Sequence, residues 1–193
     1  MIVYDIEIVK AIPPRYGPRD NSIEYCGGWH DHANMGVSVI GVYDYRTERT
    51  RVFCEDNKDE FFSLVSDTDL CVGFNNIPFD NAVIRSCWGD IDDKKCYDLL
   101  RQTWLACGLS DEFNPATHGG YGLEAICEAN FGSIKSGNGA FAPVLWQQGK
   151  IGTVIDYCLN DVKLTKQLLD VALAGGRVID PKSGGTITLR RPF

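Results

Sequence analysis

Five residues of this chain have types and spacings that could do chemistry together. Asp5 and Glu7 sit two apart in the hydrophobic run at residues 1–10, and in a strand alternate residues share a face. Their carboxylates therefore point the same way, while Tyr4, Ile6 and Ile8 point the other. Two like charges side by side repel and lose hydration unless they are protonated or paired with cations, and a bound divalent metal is the usual remedy. Asp80 follows an apolar run at 69–74 and lies in the first turn of an expected helix, whose dipole favours its charge. Tyr157 and Asp161 are four apart in the longest helical pattern of the chain and so share one face about one turn apart. Four acids and a tyrosine can thus converge at one edge of a sheet.

The elements that must position them follow from patterning. After the first strand, residues 9–35 carry Pro13, Pro14, Gly17, Pro18, Gly27 and Gly28, too punctuated for a regular element, and read as an inserted loop. Residues 36–45 and 50–55 are β-rich runs that suggest an antiparallel hairpin, followed by a short amphipathic helix at 59–65. The run at 69–74 is a strand, and 79–88 a helix with Pro78 where a helix begins. Residues 95–100 give another strand, with 101–107 open between strand exit and helix. Helices are expected at 123–131, 142–148 and 153–174, the last ending at Gly175 and Gly176. Gly184 and Gly185 place a turn in a C-terminal hairpin at 177–193. The expected class is α/β with a mixed central sheet flanked by helices, one domain over 1–193.

Composition narrows the setting. A hydrophobic content of 44% with 23% charged residues suits a globular fold with a real core. No run of eighteen apolar residues and no basic-then-apolar leader is present, so a cytoplasmic, monomeric protein that does not engage membrane is expected. The eight cysteines include no C-x-x-C pair and read as reduced thiols, several of them in apolar segments. A net charge of −7 argues against a protein that coats long stretches of nucleic acid, because phosphate neutralisation needs a basic surface. It leaves room for an enzyme that grips a few nucleotides through metals.

The pattern D-x-E on a first strand, N-x-x-x-F-D after a later strand and Y-x-x-x-D on a late helix resembles the DEDD (DnaQ-like) 3′-5′ exonuclease superfamily, tyrosine branch. It is closest to the proofreading exonuclease domain of B-family DNA polymerases. Asp5, Ile6 and Glu7 resemble the first motif; Gly73, Phe74 and Asn75 followed by Phe79 and Asp80 the second; Tyr157, Cys158 and Asp161 the third. The resemblance covers residues 1–8 and 69–170, and the loop at 9–35 has no counterpart in it. It implies an RNase H-like fold and a metal-dependent exonuclease that shortens single-stranded nucleic acid from its 3′ end, DNA favoured over RNA, with a replication or repair partner. It also implies two divalent cations, Mg²⁺ or Mn²⁺, the ions that oxygen ligands suit. Asp5 would bridge both, Glu7 and Asp161 would complete the site of the attacking water, and Asp80 would support the second metal through waters. Tyr157 would orient that water, since an ordinary phenol with a pKa near ~10 is a poor base at neutral pH. Ile6, Glu7, Phe74, Asn75, Asn76, Phe79 and Lys135 would meet the substrate.

Other readings compete. A catalytically silent nucleic-acid-binding or partner-binding module would keep the fold and lack a carboxylate, and a related endonuclease would cut a circular strand. Trp29, His30, Asp31 and His32 invite a zinc reading, but no third or fourth ligand is spaced to finish it, which favours a solvated loop with substrate contact as the lesser option. Trp88, Trp104 and Trp146 read as core or rim aromatics.

Overall fold

A computed structural model describes residues 1–132 and 139–193 of the chain. In chain order it contains β1 (Ile2–Ile8), α1 (His32–Met35), β2 (Val37–Asp44), β3 (Arg49–Phe53), α2 (Lys58–Ser66), β4 (Cys71–Gly73), α3 (Asn81–Cys87), β5 (Cys96–Asp98) and α4 (Leu99–Ala106). These are followed by α5 (Leu123–Phe131), α6 (Ala142–Gln147), α7 (Ile151–Leu173), β6 (Arg177–Ile179) and β7 (Thr186–Thr188). The strands β3-β2-β1-β4-β5 form one mixed sheet, and β6 and β7 pair antiparallel as a separate two-stranded ribbon. Within the large sheet, β1 is antiparallel to β2 and parallel to β4, and β4 is parallel to β5.

β1 is the middle strand, and its alternation sorts two cores. Ile2, Tyr4, Ile6 and Ile8 face a cluster that includes Phe61 and Leu64 of α2 and Val83 and Ile84 of α3. On the opposite face, Val3 packs with Val162, Leu168 and Leu169 of α7, Trp104 of α4 and Ile126 of α5. A strand covered on both faces reads as a near-continuous apolar run, which makes the two acids the exception in it. α7 has 23 residues, about 34 Å at the usual rise, and crosses the sheet with Cys158 and Val162 against β2. No helix among the described residues is long and apolar enough to cross a membrane, and no disulfide forms among them.

The elements differ from the sequence expectation where local hydrogen bonds end a strand early. β4 and β5 have three residues each, shorter than 69–74 and 95–100. β5 stops because Asp98 caps α4: its Oδ1 accepts from Leu100 N at 3.0 Å and Arg101 N at 3.4 Å, and this cap makes 99–106 a helix. After β4 the chain turns at Asn75 (φ 65°) into a π-helical turn, Asn76–Asp80, that holds Pro78 in its middle and feeds α3. The helix expected to begin near Pro78 therefore begins two residues later, with Asp80 at the junction.

The segment at 9–35 is tied to the body of the protein. Ala11 N donates to Glu24 O, and Cys26 N to Ala11 O, both at 3.0 Å. Gln147 Nε2 of α6 bridges Val9 O (2.9 Å) and Glu24 O (3.0 Å). Cys26 and Met35 are buried in the core beside β1. The segment ends in the one-turn α1, which its glycines and prolines do not announce.

Gly73, the last residue of β4, sits against the next turn so closely that an added Cβ would lie 2.5 Å from Asn76 Cβ. Gly73→Ala is expected to lower stability by about 1–3 kcal/mol through this clash, measured by urea denaturation.

Candidate metal centre

Asp5, Glu7 and Asp161 come together on the α7 side of the sheet. One carboxylate oxygen from each lies within 4.8 Å of the others, and this is the one group of three or more such side chains found among the described residues. Glu7 and Asp161 are buried, whereas Asp5 is half-exposed. Their meeting depends on how near α7 lies to β2. Gly41 is the β2 partner of Asp5, and a Cβ there would approach Cys158 Sγ to 3.0 Å and Val162 Cγ2 to 3.2 Å. Cys158 Sγ in turn donates to the Asp5 backbone carbonyl at 3.3 Å and lies 3.8 Å from Asp5 Oδ2. Burial, and after it the negative field of Asp5 and Glu7, holds this thiol well above its ordinary pKa, so it stays a donor.

Tyr157 and Asp161, one turn apart, are both buried on the sheet-facing side of α7. Tyr157 packs with Val39, Ala142, Val154 and Cys158. Asp80 is 4% exposed and stands within the field of Asp161, outside the group of three acids within mutual reach. Its carboxyl is pushed up to about 7, first by burial and then by the charges of Asp98 and Asp161, while accepting from Ile6 N–H opposes the shift. Parallel pairing of β1 with β4 spans only Ile2 and Val3, so beyond it Asp80 takes the place of a strand neighbour at Ile6.

The residues expected to contact substrate divide. Phe74 is half-buried against Leu123, Cys127 and Leu164. Phe79 is half-buried, with its ring 6.0 Å from Trp29 and 6.1 Å from His32. Asn75 is half-buried, and its N–H donates to Asp98 Oδ1 at 2.9 Å. Two expectations need correction. Asn76 is wholly buried and donates to the Tyr4 hydroxyl at 2.9 Å, so it braces the core instead of meeting a base. The Ile6 side chain lies in the core behind β1, on the face opposite Asp5 and Glu7, and only its backbone reaches the site. Lys135 lies outside the described residues. The rings of His30 and His32 are 6.5 Å apart and join no ligand group among the described residues.

Sequence reasoning missed the frame behind the site. Asp98 is 2% exposed and accepts from the backbone N–H groups of Asn75, Ile77, Leu100 and Arg101. It thereby fixes the turn that carries Phe79 and Asp80. Burial raises its pKa and these donors pull it back. Its signal was available: an acid immediately before a helical run is an N-cap pattern. Tyr4 is bonded to Asn76 and Asn81, and Asn81 Nδ2 donates to Asp93 Oδ1 at 2.7 Å, so a buried polar chain backs the first turn of α3.

No protein-family model matches the chain, and no curated protein matches it. Among solved structures it is similar to the family B DNA polymerase from the hyperthermophilic archaeon Pyrobaculum calidifontis, with 18% sequence identity and a TM-score of 0.57. The match covers 89% of this chain and 24% of the polymerase. At that identity the likeness speaks for the fold alone.

Asp80 has a direct pH consequence in the metal-free protein. Its raised folded-state value means that the native protein holds the proton more tightly than the unfolded chain, whose aspartates titrate near ~4. That stabilisation is complete below pH ~4 and is lost as pH rises through about 7. In EDTA, Asp80→Asn should therefore exceed wild type in thermal stability at pH 8, by of order 1 kcal/mol or more. The gap should narrow as pH falls below about 7 and close only towards pH ~4.

Proposed function

We propose that this chain is a metal-dependent 3′-5′ exonuclease of the DEDD superfamily, tyrosine branch, built on an RNase H-like fold and acting on single-stranded ends. The observation that carries this reading is the meeting of Asp5, Glu7 and Asp161 within 4.8 Å, with Tyr157 one turn from Asp161. The likeness in fold to a family B DNA polymerase supports it. A donor set made only of carboxylate oxygens fits Mg²⁺ or Mn²⁺ and disfavours soft metals.

Asp5 is the most open of the three acids and, with cations bound, would be the carboxylate shared between them. Glu7 and Asp161, both buried, hold their oxygens in one place through the packing of β1 and α7. Asp80 supports the arrangement from the first turn beyond β4. Cations bound there would acidify a water and take up charge developing on the scissile phosphate and the departing 3′ oxygen. Tyr157 orients the attacking water from the same helix face as Asp161. Glu7 would hold the terminal 3′ hydroxyl, which selects an end. Phe74 and Asn75 line the approach for the terminal nucleotides.

Purified protein with 5′-labelled single-stranded DNA or RNA and Mg²⁺ or Mn²⁺ should give a ladder that shortens from the 3′ end, with circular single-stranded DNA left intact. DNA is expected to be cut faster than matched RNA. Asp5→Asn should lose about 100-fold or more in rate while melting no lower than wild type without metal, because it relieves repulsion. Failure to shorten any of these strands, or an Asp5→Asn protein as active as wild type, would overturn the proposal.

A further inference from the structure

The exonuclease reading leaves one large exposed aromatic, next to Phe79, without a use. Trp29 is 66% exposed, a large aromatic surface on a segment tied to the body at Ala11, Glu24 and Cys26. It occupies the first central position of a turn closed by Asp31 N donating to Gly28 O at 3.1 Å. Asp31 accepts from Gly27 N and, at 2.7 Å, from Asn34 Nδ2. Cys87 Sγ donates to His32 O at 3.4 Å, which attaches the turn's far side to α3. The indole is therefore displayed by a preorganised turn.

Its place is specific. The Trp29 ring centroid is 6.0 Å from that of Phe79 at an interplanar angle of 57°, and His32 approaches Phe79 edge-on. Phe79 immediately precedes Asp80, so the turn that carries Asp80 also carries the ring against which Trp29 rests.

Charge gives such a surface a task. A strand entering this site meets a protein of net charge −7 and a cluster of carboxylates, which gives contacts other than phosphate neutralisation more of the binding to do. Stacking on an aromatic ring is sequence-tolerant and needs no neutralised phosphates. An unpaired base offers both of its faces to such a ring, which favours single-stranded substrate. We infer that Trp29, carried by the 9–35 segment and backed by Phe79 and His32, is the stacking platform for an unpaired base of the strand whose end lies at the carboxylates. This rests on the proposed exonuclease activity for the identity of the ligand, and it assigns the segment a role in holding single-stranded substrate.

The test compares wild type, Trp29→Ala and Trp29→Phe. Binding of a fluorescein-labelled single-stranded oligonucleotide is read by anisotropy in Ca²⁺, and cleavage kinetics are read in Mg²⁺. Trp29→Ala should weaken binding and raise KM by about 10-fold, with kcat and melting temperature unchanged, and Trp29→Phe should recover most of the loss. A single abasic nucleotide at the contacted position should weaken wild type by a similar factor and leave Trp29→Ala no weaker. Trp29→Ala binding within twofold of wild type overturns the platform, and cleavage by the same proteins then leaves the exonuclease reading standing. Binding that depends on Trp29 in a protein that cuts nothing upholds the platform and removes the exonuclease. Wild type that neither binds nor cuts overturns both.

Discussion

The close contact between α7 and the β1–β2 pair sets everything else about the centre. Gly41 has no side chain, and the space is filled by Cys158, Leu159 and Val162, whose atoms would stand 3.0–3.2 Å from a Cβ. A helix pressed this near to a sheet brings the two residues flanking that contact, Tyr157 and Asp161, over the strand that carries Asp5 and Glu7. Had β2 carried a branched residue at this position, the helix would ride higher and the carboxylates would separate. The Cys158 thiol, held protonated, ties the helix to the Asp5 carbonyl at the point of nearest approach.

That geometry concentrates negative charge on a strand packed on both faces. Two hydrophobic clusters grip β1 from opposite faces, so its acids cannot swing apart to relieve repulsion. The protein handles its buried aspartates in two ways. Asp98 is surrounded by backbone donors and serves as a strut between the turn after β4 and the start of α4. Asp80 has fewer donors, stands in the field of Asp98 and Asp161, and is pushed towards the neutral form. A buried acid satisfied by N–H groups is structural, whereas acids crowded together have a use for a cation.

Much of this was legible in the sequence, for reasons of periodicity. The two-residue repeat of β1 puts Asp5 and Glu7 on one face, and the four-residue spacing does the same for Tyr157 and Asp161, so each pair can be read without knowing the tertiary structure. What could not be read depends on backbone turns. Asn75 and Asn76 are adjacent and alike, but the left-handed φ of Asn75 rotates Asn76 inwards to Tyr4, a partner 72 residues away in sequence. The short β4 and β5, and the helix at 99–106, follow from the several bonds made by Asp98, of which only the capping ones leave a local trace. The setting of Trp29 against Phe79 depends on how the 9–35 segment is tied to α3 and α6, and no sequence period encodes that.

The most direct measurement of the central claim is Mn²⁺ binding followed by electron paramagnetic resonance on the metal-stripped protein. A metal centre at Asp5, Glu7 and Asp161 predicts that wild type takes up Mn²⁺, with loss of the free-ion signal, and that Asp5→Asn and Asp161→Asn each bind markedly less while remaining folded. A wild-type protein that leaves the Mn²⁺ signal unchanged, or variants that bind as well as wild type, would contradict a metal centre at these carboxylates.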